Sequence, residues 1–193
     1  MPIPKCIRLP FDDSNGRDEL LASGWREIEI LETWAGPISS SIIEKNRMEF
    51  ARNDDLIEIQ KLAMGAFTHD RLHADHLVPK ADADGAKAKW VATAFDDKER
   101  TITVTRLNGG IGGFLVYKSD PKSKVRRLII DLLAIDDKYR RHGLATQLVV
   151  QSARAGGFRQ IKAGTQSTNE PARKFYKSLG MRIIKRQRTF HHG

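Results

Sequence analysis

The stretch from Leu128 to Val149 constrains this chain more than any other. An apolar run, Leu128–Ile135, reads as a buried strand and is followed by Tyr139-Arg140-Arg141-His142-Gly143-Leu144-Ala145-Thr146. The apolar positions Leu144, Leu148 and Val149 then take up a helical spacing. A strand that passes through a basic, glycine-containing turn into a helix points several backbone N–H groups at one spot, with the helix N-terminus behind them. Arg140 and Arg141 add full positive charges, and Gly143 lets a ligand approach the backbone closely. The expectation is a phosphate receptor, set against a basic turn that merely begins a helix.

A second block lies about two dozen residues on. The run Arg159–Thr165 reads as a short strand leading to Thr168-Asn169-Glu170-Pro171, and Ala172-Arg173-Lys174-Phe175-Tyr176-Lys177-Ser178-Leu179-Gly180-Met181 follows. Pro171 suits the first turn of a helix and Gly180 its C-terminal end. The first block, Arg-x-x-Gly-x-Ala, resembles the pyrophosphate loop of the GNAT family of acyl-CoA-dependent N-acyltransferases. The second, Asn-x-x-Ala-x-x-Phe-Tyr-x-x-x-Gly, resembles that family's other cofactor-binding segment. The resemblance implies acetyl-CoA as cofactor and a sheet whose two central strands splay apart to admit it.

The chain has 193 residues, enough for one domain, or one domain with a modest N-terminal extension, and for a core without disulfides. Cys6 is the sole cysteine, which excludes an internal disulfide and a Cys-based zinc site and fits a reduced, cytoplasmic setting. The opening residues predict neither a signal peptide nor a membrane span. A formal charge of +9 suits anionic ligands. The basic residues are scattered, however, with the densest cluster at Lys185, Arg186 and Arg188, and no nucleic-acid-binding motif appears. Attraction of a polyanionic cofactor is preferred over nucleic-acid binding.

Along the chain, residues 1–20 read as irregular, Trp25–Trp34 as a strand, Ser39–Ser41 as a linker and Arg47–Ala51 as a strand. A helix capped by Asn53 or Asp54 runs to Ala66, Phe67–Lys80 is a polar loop, and Ala81–Phe95 is helical despite Gly85. Asn108-Gly109-Gly110 turns a hairpin between Thr101–Thr105 and Gly112–Tyr117. After the two blocks, Arg182–Lys185 and Arg188–His191 make a closing strand or pair. The fold class is α/β: a mixed, mostly antiparallel central sheet flanked by helices, with residues 1–40 an N-terminal extension carrying a strand and 41–193 the acetyltransferase domain. An edge strand near the C-terminus is compatible with a homodimer.

The loop at 67–79 narrows the acceptor. Arg71, His73 and Asp75 alternate, so in an extended segment they share one face, where Arg grips phosphate and His and Asp bond sugar hydroxyls. A solvated loop, or metal binding by His69, His73 and His76, are the alternatives. The segment Phe-x-x-x-Arg-Leu-His-x-Asp, with Trp90 downstream, is similar to the TDP-fucosamine acetyltransferase group, as are Leu20–Trp25 and Phe190-His191-His192. That resemblance implies N-acetylation of a nucleotide-linked 4-amino sugar, a component of a surface polysaccharide. The sequence departs from the group at Leu72, Met181 and His192.

An amine attacks a thioester only when neutral. Neutralising a Lys-like amine at pH 7 costs about 4–5 kcal/mol, so positioning and a proton exit matter most. The resemblance assigns Tyr176 as the acid that protonates the departing thiolate, against a reading as a core aromatic, and assigns direct transfer in a ternary complex. It has the backbone of Leu133, Ala134 and Ile135 pair with the pantetheine, the loop residues Arg140, Arg141, His142, Gly143, Leu144, Ala145 and Thr146 hold the pyrophosphate, and Asn169 bond the cofactor or cap its helix. Asp131 is the candidate base, with His73, Asp75, His191 or a water chain as alternatives. Arg71, His73, Asp75, Trp90 and His191 are the acceptor-binding set, and no metal is required. Protein amines, an aminoglycoside, or a non-enzymatic acyl-CoA-binding role remain as competing readings.

Overall fold

The computed structural model describes residues 3–38 and 47–193, so the linker expected at Ser39–Ser41 lies outside the described residues. In chain order the elements are β1 (Lys5–Pro10), α1 (Ser14–Ala22), β2 (Arg26–Pro37), β3 (Met48–Phe50), α2 (Leu56–Ala66), α3 (Arg71–Ala74), α4 (Lys80–Asp96), β4 (Arg100–Leu107), β5 (Gly110–Ser119), β6 (Arg127–Ile135), α5 (Leu144–Ala155), β7 (Gln160–Gln166), α6 (Glu170–Ser178) and β8 (Arg182–His192). The eight strands form one sheet in the order β1-β8-β2-β7-β6-β5-β4-β3. Every neighbouring pair is antiparallel except β6 and β7. This is the expected α/β class.

Two cores cover the two faces of the sheet. On one, Leu144, Leu148, Val149 and Ala153 of α5 pack with Leu128, Ile130, Leu115 and Tyr117. On the other, Ile59 and Ala63 of α2 and Val91 and Ala94 of α4 pack with Phe114, Val116, Leu132 and Ala134. Gly85 lowers the propensity of α4 by about 1 kcal/mol, less than the burial of Val91 alone contributes at about 1.5–3 kcal/mol.

The assignment of β6 to both cores has a local cause. Val116 of β5 faces Leu132 while its neighbour Tyr117 faces Ile130, so Asp131 is an extra residue, a β-bulge. The bulge flips the strand, turning Leu128 and Ile130 to one face and Leu132 and Ala134 to the other. It also bends β6 where its parallel pairing ends. The β6–β7 register runs only from Arg127↔Gln160 to Ile130↔Ala163. Past that point the rest of β6 pairs only with β5, and Gly164–Gln166 pair only with β2. The sheet therefore splits down its middle.

Three expectations change. Residues 5–10 and 14–22 are a strand and a helix, not irregular. Phe67–Lys80 is no extended loop, because Asp70 caps the one-turn helix α3 by accepting from Leu72 N at 2.9 Å. The C-terminal strand is no edge either. β8 is one strand of eleven residues paired with β1 on one side and β2 on the other, which removes the argument made for a homodimer.

Candidate active site

The split in the sheet opens a cleft of about 1240 Å³ that runs from the α5 N-terminus past α6 to α3 and α4. One wall is the β7-facing side of Asp131–Ile135, which has no strand partner. An unpaired strand edge is a template for any extended chain that carries amides.

At one end of the cleft the chain leaves β6 through a turn at Asp137–Tyr139 and enters α5. Arg140 is tied back by a bond from Nε to the Ile135 carbonyl at 3.1 Å and by an ion pair with Asp137 at 2.6 Å. Arg141 is exposed and held at φ +67°, and Gly143 follows at φ +76°. No side chain caps α5, whose first internal bond runs from Gln147 N to Gly143 O at 3.0 Å. The amides of Leu144, Ala145 and Thr146 are thus left for a ligand. A missing cap costs about 1 kcal/mol, and the five buried apolar side chains of α5 outweigh it several times over. Arg140, Arg141, Gly143, Leu144, Ala145 and Thr146 all line the cleft, whereas His142 is exposed and lies outside its lining.

Tyr176 projects from α6 into the middle of the cleft. Its ring packs against Trp34 at 6.2 Å and Phe175 at 5.6 Å, leaving it 6% exposed. Burial pushes the phenol up to about 12, so it is fully protonated at neutral pH and able to donate. Tyr176 thus packs in a core and also lines the cleft. Glu32 of β2, 1% exposed, fixes α6 by accepting from Arg173 Nε at 3.1 Å and from Trp34 Nε1 at 3.2 Å. Asn169 likewise does the structural job, capping α6 by accepting from Ala172 N at 3.2 Å, while still lining the cleft.

At the far end the acceptor-binding set separates. Arg71 and Trp90 line the cleft, whereas His73, Asp75 and His191 stand behind it. Arg71 Nη1 donates to His191 Nε2 at 2.9 Å, and His191 Nδ1 donates to Asp75 Oδ2 at 2.7 Å. Asp75 also takes both guanidinium nitrogens of Arg26 and the Leu77 amide. Burial raises the Asp75 carboxyl, but the hydrogen bonds from Arg26 and His191 win and hold it well below the usual carboxylate range. Burial holds His191 below its ordinary value against the pull of Asp75, so it is neutral at pH 7, consistent with one ring nitrogen donating and the other accepting. His73 is a strut, with Nδ1 at 2.7 Å from Asp70 and Nε2 at 2.9 Å from Asp84. The one-face arrangement expected of Arg71, His73 and Asp75 does not form, because α3 coils the segment.

Asp131 lines the cleft, but its carboxylate accepts from Arg100 Nε at 2.8 Å in an ion pair, and Asp97 holds Arg100 from the other side. The Asp131 carboxylate is therefore engaged by Arg100 on the cleft wall.

Other cleft residues gave no warning in the sequence. Lys87 is 7% exposed, with its ammonium 3.4 Å from Asp70 and over the rings of Phe67 and Trp90. Burial lowers its amine despite Asp70. Arg8 reaches the cleft from β1, and Glu29 lines it from β2. Oε2 of Glu29 is a buried oxygen without a hydrogen-bond partner among the described residues, an arrangement that costs about 1–3 kcal/mol. Period-2 reading cannot place Glu29, because Ile28 is an extra residue in the pairing with β8 and shifts the faces.

The acetyltransferase (GNAT) family model matches residues 56–181. Human N-alpha-acetyltransferase 30 is 37% identical over 84 residues, a match covering 42% of this chain and 23% of that protein, so the chain aligns with under a quarter of the curated relative. Among solved structures, a conserved protein of unknown function from Staphylococcus epidermidis superposes with a TM-score of 0.70 at 9% identity, over 96% of this chain and 71% of that one. A GCN5-related N-acetyltransferase from Sphaerobacter thermophilus does so with a TM-score of 0.64 at 13% identity, over 98% and 60%. A split sheet with an uncapped, basic helix N-terminus at its mouth and a family match over most of the chain lead to one conclusion: this protein belongs to the acetyltransferase (GNAT) family, whose members take their acetyl group from acetyl-CoA.

Proposed function

We propose that this protein is an acetyl-CoA-dependent N-acetyltransferase whose acceptor is an amine on a small anionic molecule, a nucleotide-linked amino sugar of the TDP-fucosamine type, acetylated directly in a ternary complex. The carrying observation is the chemistry of the far end of the cleft. Arg8, Arg71, Lys87 and Lys89 line it, and the indole of Trp90 is 40% exposed beside them. Cations suit a diphosphate and an exposed indole suits a base to stack on. The same cations disfavour an aminoglycoside.

The residues present fit acetyl-CoA. The α5 amides and Arg141 would take its pyrophosphate, the unpaired edge at Leu133–Ile135 its pantetheine, and Tyr176 would stand near its sulfur. Acetyl-CoA supplies an activated thioester. The chain contributes alignment and a proton from Tyr176 to the departing sulfur. A cleft of about 1240 Å³ exceeds the roughly 300–1000 Å³ of a single-ligand pocket, as a ternary complex needs.

A second reading, acetylation of a protein N-terminus, is favoured by the likeness to the N-alpha-acetyltransferase 30 proteins. CoA thiol release separates the two when TDP- and UDP-linked 4-amino sugars, an aminoglycoside and short peptides are offered in turn. Turnover confined to the nucleotide-linked sugars is expected, and turnover with peptides alone would replace the acceptor class. With the accepted substrate, Tyr176→Phe should lower kcat about 10²–10⁴-fold with little change in acetyl-CoA affinity.

A further inference from the structure

The geometry points to Glu29 as the carboxylate that receives the acceptor's ammonium group and takes its proton. This rests on the acetyltransferase reading of the cleft but not on the acceptor being a nucleotide sugar.

Four acidic residues line the cleft: Glu29, Asp70, Asp131 and Glu170. Three of them have their carboxylates engaged. Asp131 is paired with Arg100, Glu170 with Arg173, and Asp70 with His73, Lys87 and the Leu72 amide. Glu29 differs. Oε1 accepts from Thr189 Oγ1 at 3.3 Å, and the Gln166 side chain approaches the same carboxyl group, but Oε2 is covered and has no partner. Among the described residues no cation stands within ion-pair distance of it.

The position suits the task. Glu29 lies two residues past the last β2–β7 pair, Leu31↔Gln166, where β7 has ended and β2 forms the wall of the acceptor end. The groups around it are Arg8 from β1, Thr189 from β8, Gln166 from β7, Asp70 before α3 and Lys87 from α4. A buried carboxylate oxygen without a donor is completed by a ligand that brings both donors and a positive charge, as a primary ammonium does. Burial also raises the proton affinity of Glu29 above that of an ordinary carboxylate, Asp70 reinforces the effect, and Arg8 opposes it. A carboxylate so placed can take a proton from a bound ammonium group.

The protons balance as follows. Glu29 takes one proton from the ammonium, and the freed lone pair forms the N–C bond to the acetyl carbonyl as the C–S bond breaks. The nitrogen's second excess proton replaces the one that Tyr176 gives to the sulfur, so the tyrosine is restored. The proton on Glu29 leaves to solvent.

Two measurements test this. The first uses the free protein. The ¹³C carboxyl resonance of Glu29, assigned by its loss in Glu29→Gln, should shift on adding n-propylammonium chloride and stay in place with n-propanol. No response to propylammonium overturns the proposal. The second uses whichever acceptor the panel identifies. Glu29→Gln should lower kcat/KM at least about 10²-fold and remove the acidic limb of its pH profile, with acetyl-CoA affinity unchanged. A loss under about threefold, or removal of that limb by His69→Gln instead, overturns it. Peptide turnover together with a Glu29 effect would sink the nucleotide-sugar acceptor and leave Glu29 standing. Sugar turnover without a Glu29 effect would do the reverse.

Discussion

Asp75 holds the C-terminal strand to the α3–α4 end of the cleft through three side chains. Its carboxylate takes Arg26 of β2 and His191 of β8, and His191 in turn orients Arg71. The pH consequence has a definite sign. The folded state keeps Asp75 ionised below the ordinary carboxylate range, so its contribution is present at neutral pH and is lost as pH falls below about 3.9. His191 acts earlier. Its folded value is lowered, so below about 6.5 the unfolded chain binds a proton that the native state resists, and stability falls as the solution is acidified. Urea unfolding should therefore give a lower midpoint at pH 5 than at pH 7.5. Asp75→Asn should cost about 2–3 kcal/mol at pH 7.5, below the usual 3–5 for a broken buried pair because Arg26 keeps 27% of its side chain exposed. Equal midpoints for wild type and variant would make the network an ornament of the fold. The sequence singled out Arg71, which lines the cleft. Its support from His191 was not legible there, because 120 residues separate the two and nothing in local spacing reports a partner so distant.

Elements whose signals are local were read well, and those made by pairing were not. Asn108 and Gly109 sit at φ +52° and +82°, the two left-handed positions of a type I′ turn, which the Asn-Gly pair announces. By contrast β1 buries none of its six residues and exists because β8 pairs along its whole length. The Asp131 bulge was equally silent, since the apolar residues on both sides of Asp131 show no alternation for a bulge to interrupt. The α5 N-terminus lies between these cases: its basic glycine turn was legible in the sequence, and its lack of a side-chain cap was not. Gly143→Ala tests the turn. An added Cβ meets nothing nearer than Gln147 Nε2 at 3.8 Å, so the penalty is backbone strain at positive φ, about 1–2 kcal/mol. CoA affinity should fall about tenfold or more as the methyl enters the phosphate approach. Calorimetry against CoA, with a thermal melt beside it, separates the two effects.

At the scale of the whole molecule, the N-terminal residues are built into the sheet. The sequence reading set residues 1–40 apart as an extension, yet β2 lies between β7 and β8 and supplies part of the cleft wall. Chain-order patterns find strands without finding their neighbours, so an insertion of this kind has no local signature. β2 also carries Glu32, which accepts from Arg173 of α6 and Arg186 of β8, and Trp34, against which Tyr176 packs. Removing residues 1–38 should therefore do more than shorten the chain. It would strip β7 of its antiparallel partner, leave both edges of β8 unpaired, and expose the apolar wall behind Tyr176. Exposed strand edges beside apolar surface favour association. The truncated protein should lose cooperative unfolding, bind a hydrophobic dye and run as aggregates on size exclusion. A monomeric product with a sharp melt and undiminished CoA affinity would instead mean that residues 39–193 fold alone and that β2 is a replaceable strand, in which case the cleft wall at Glu29 would have to be dispensable as well.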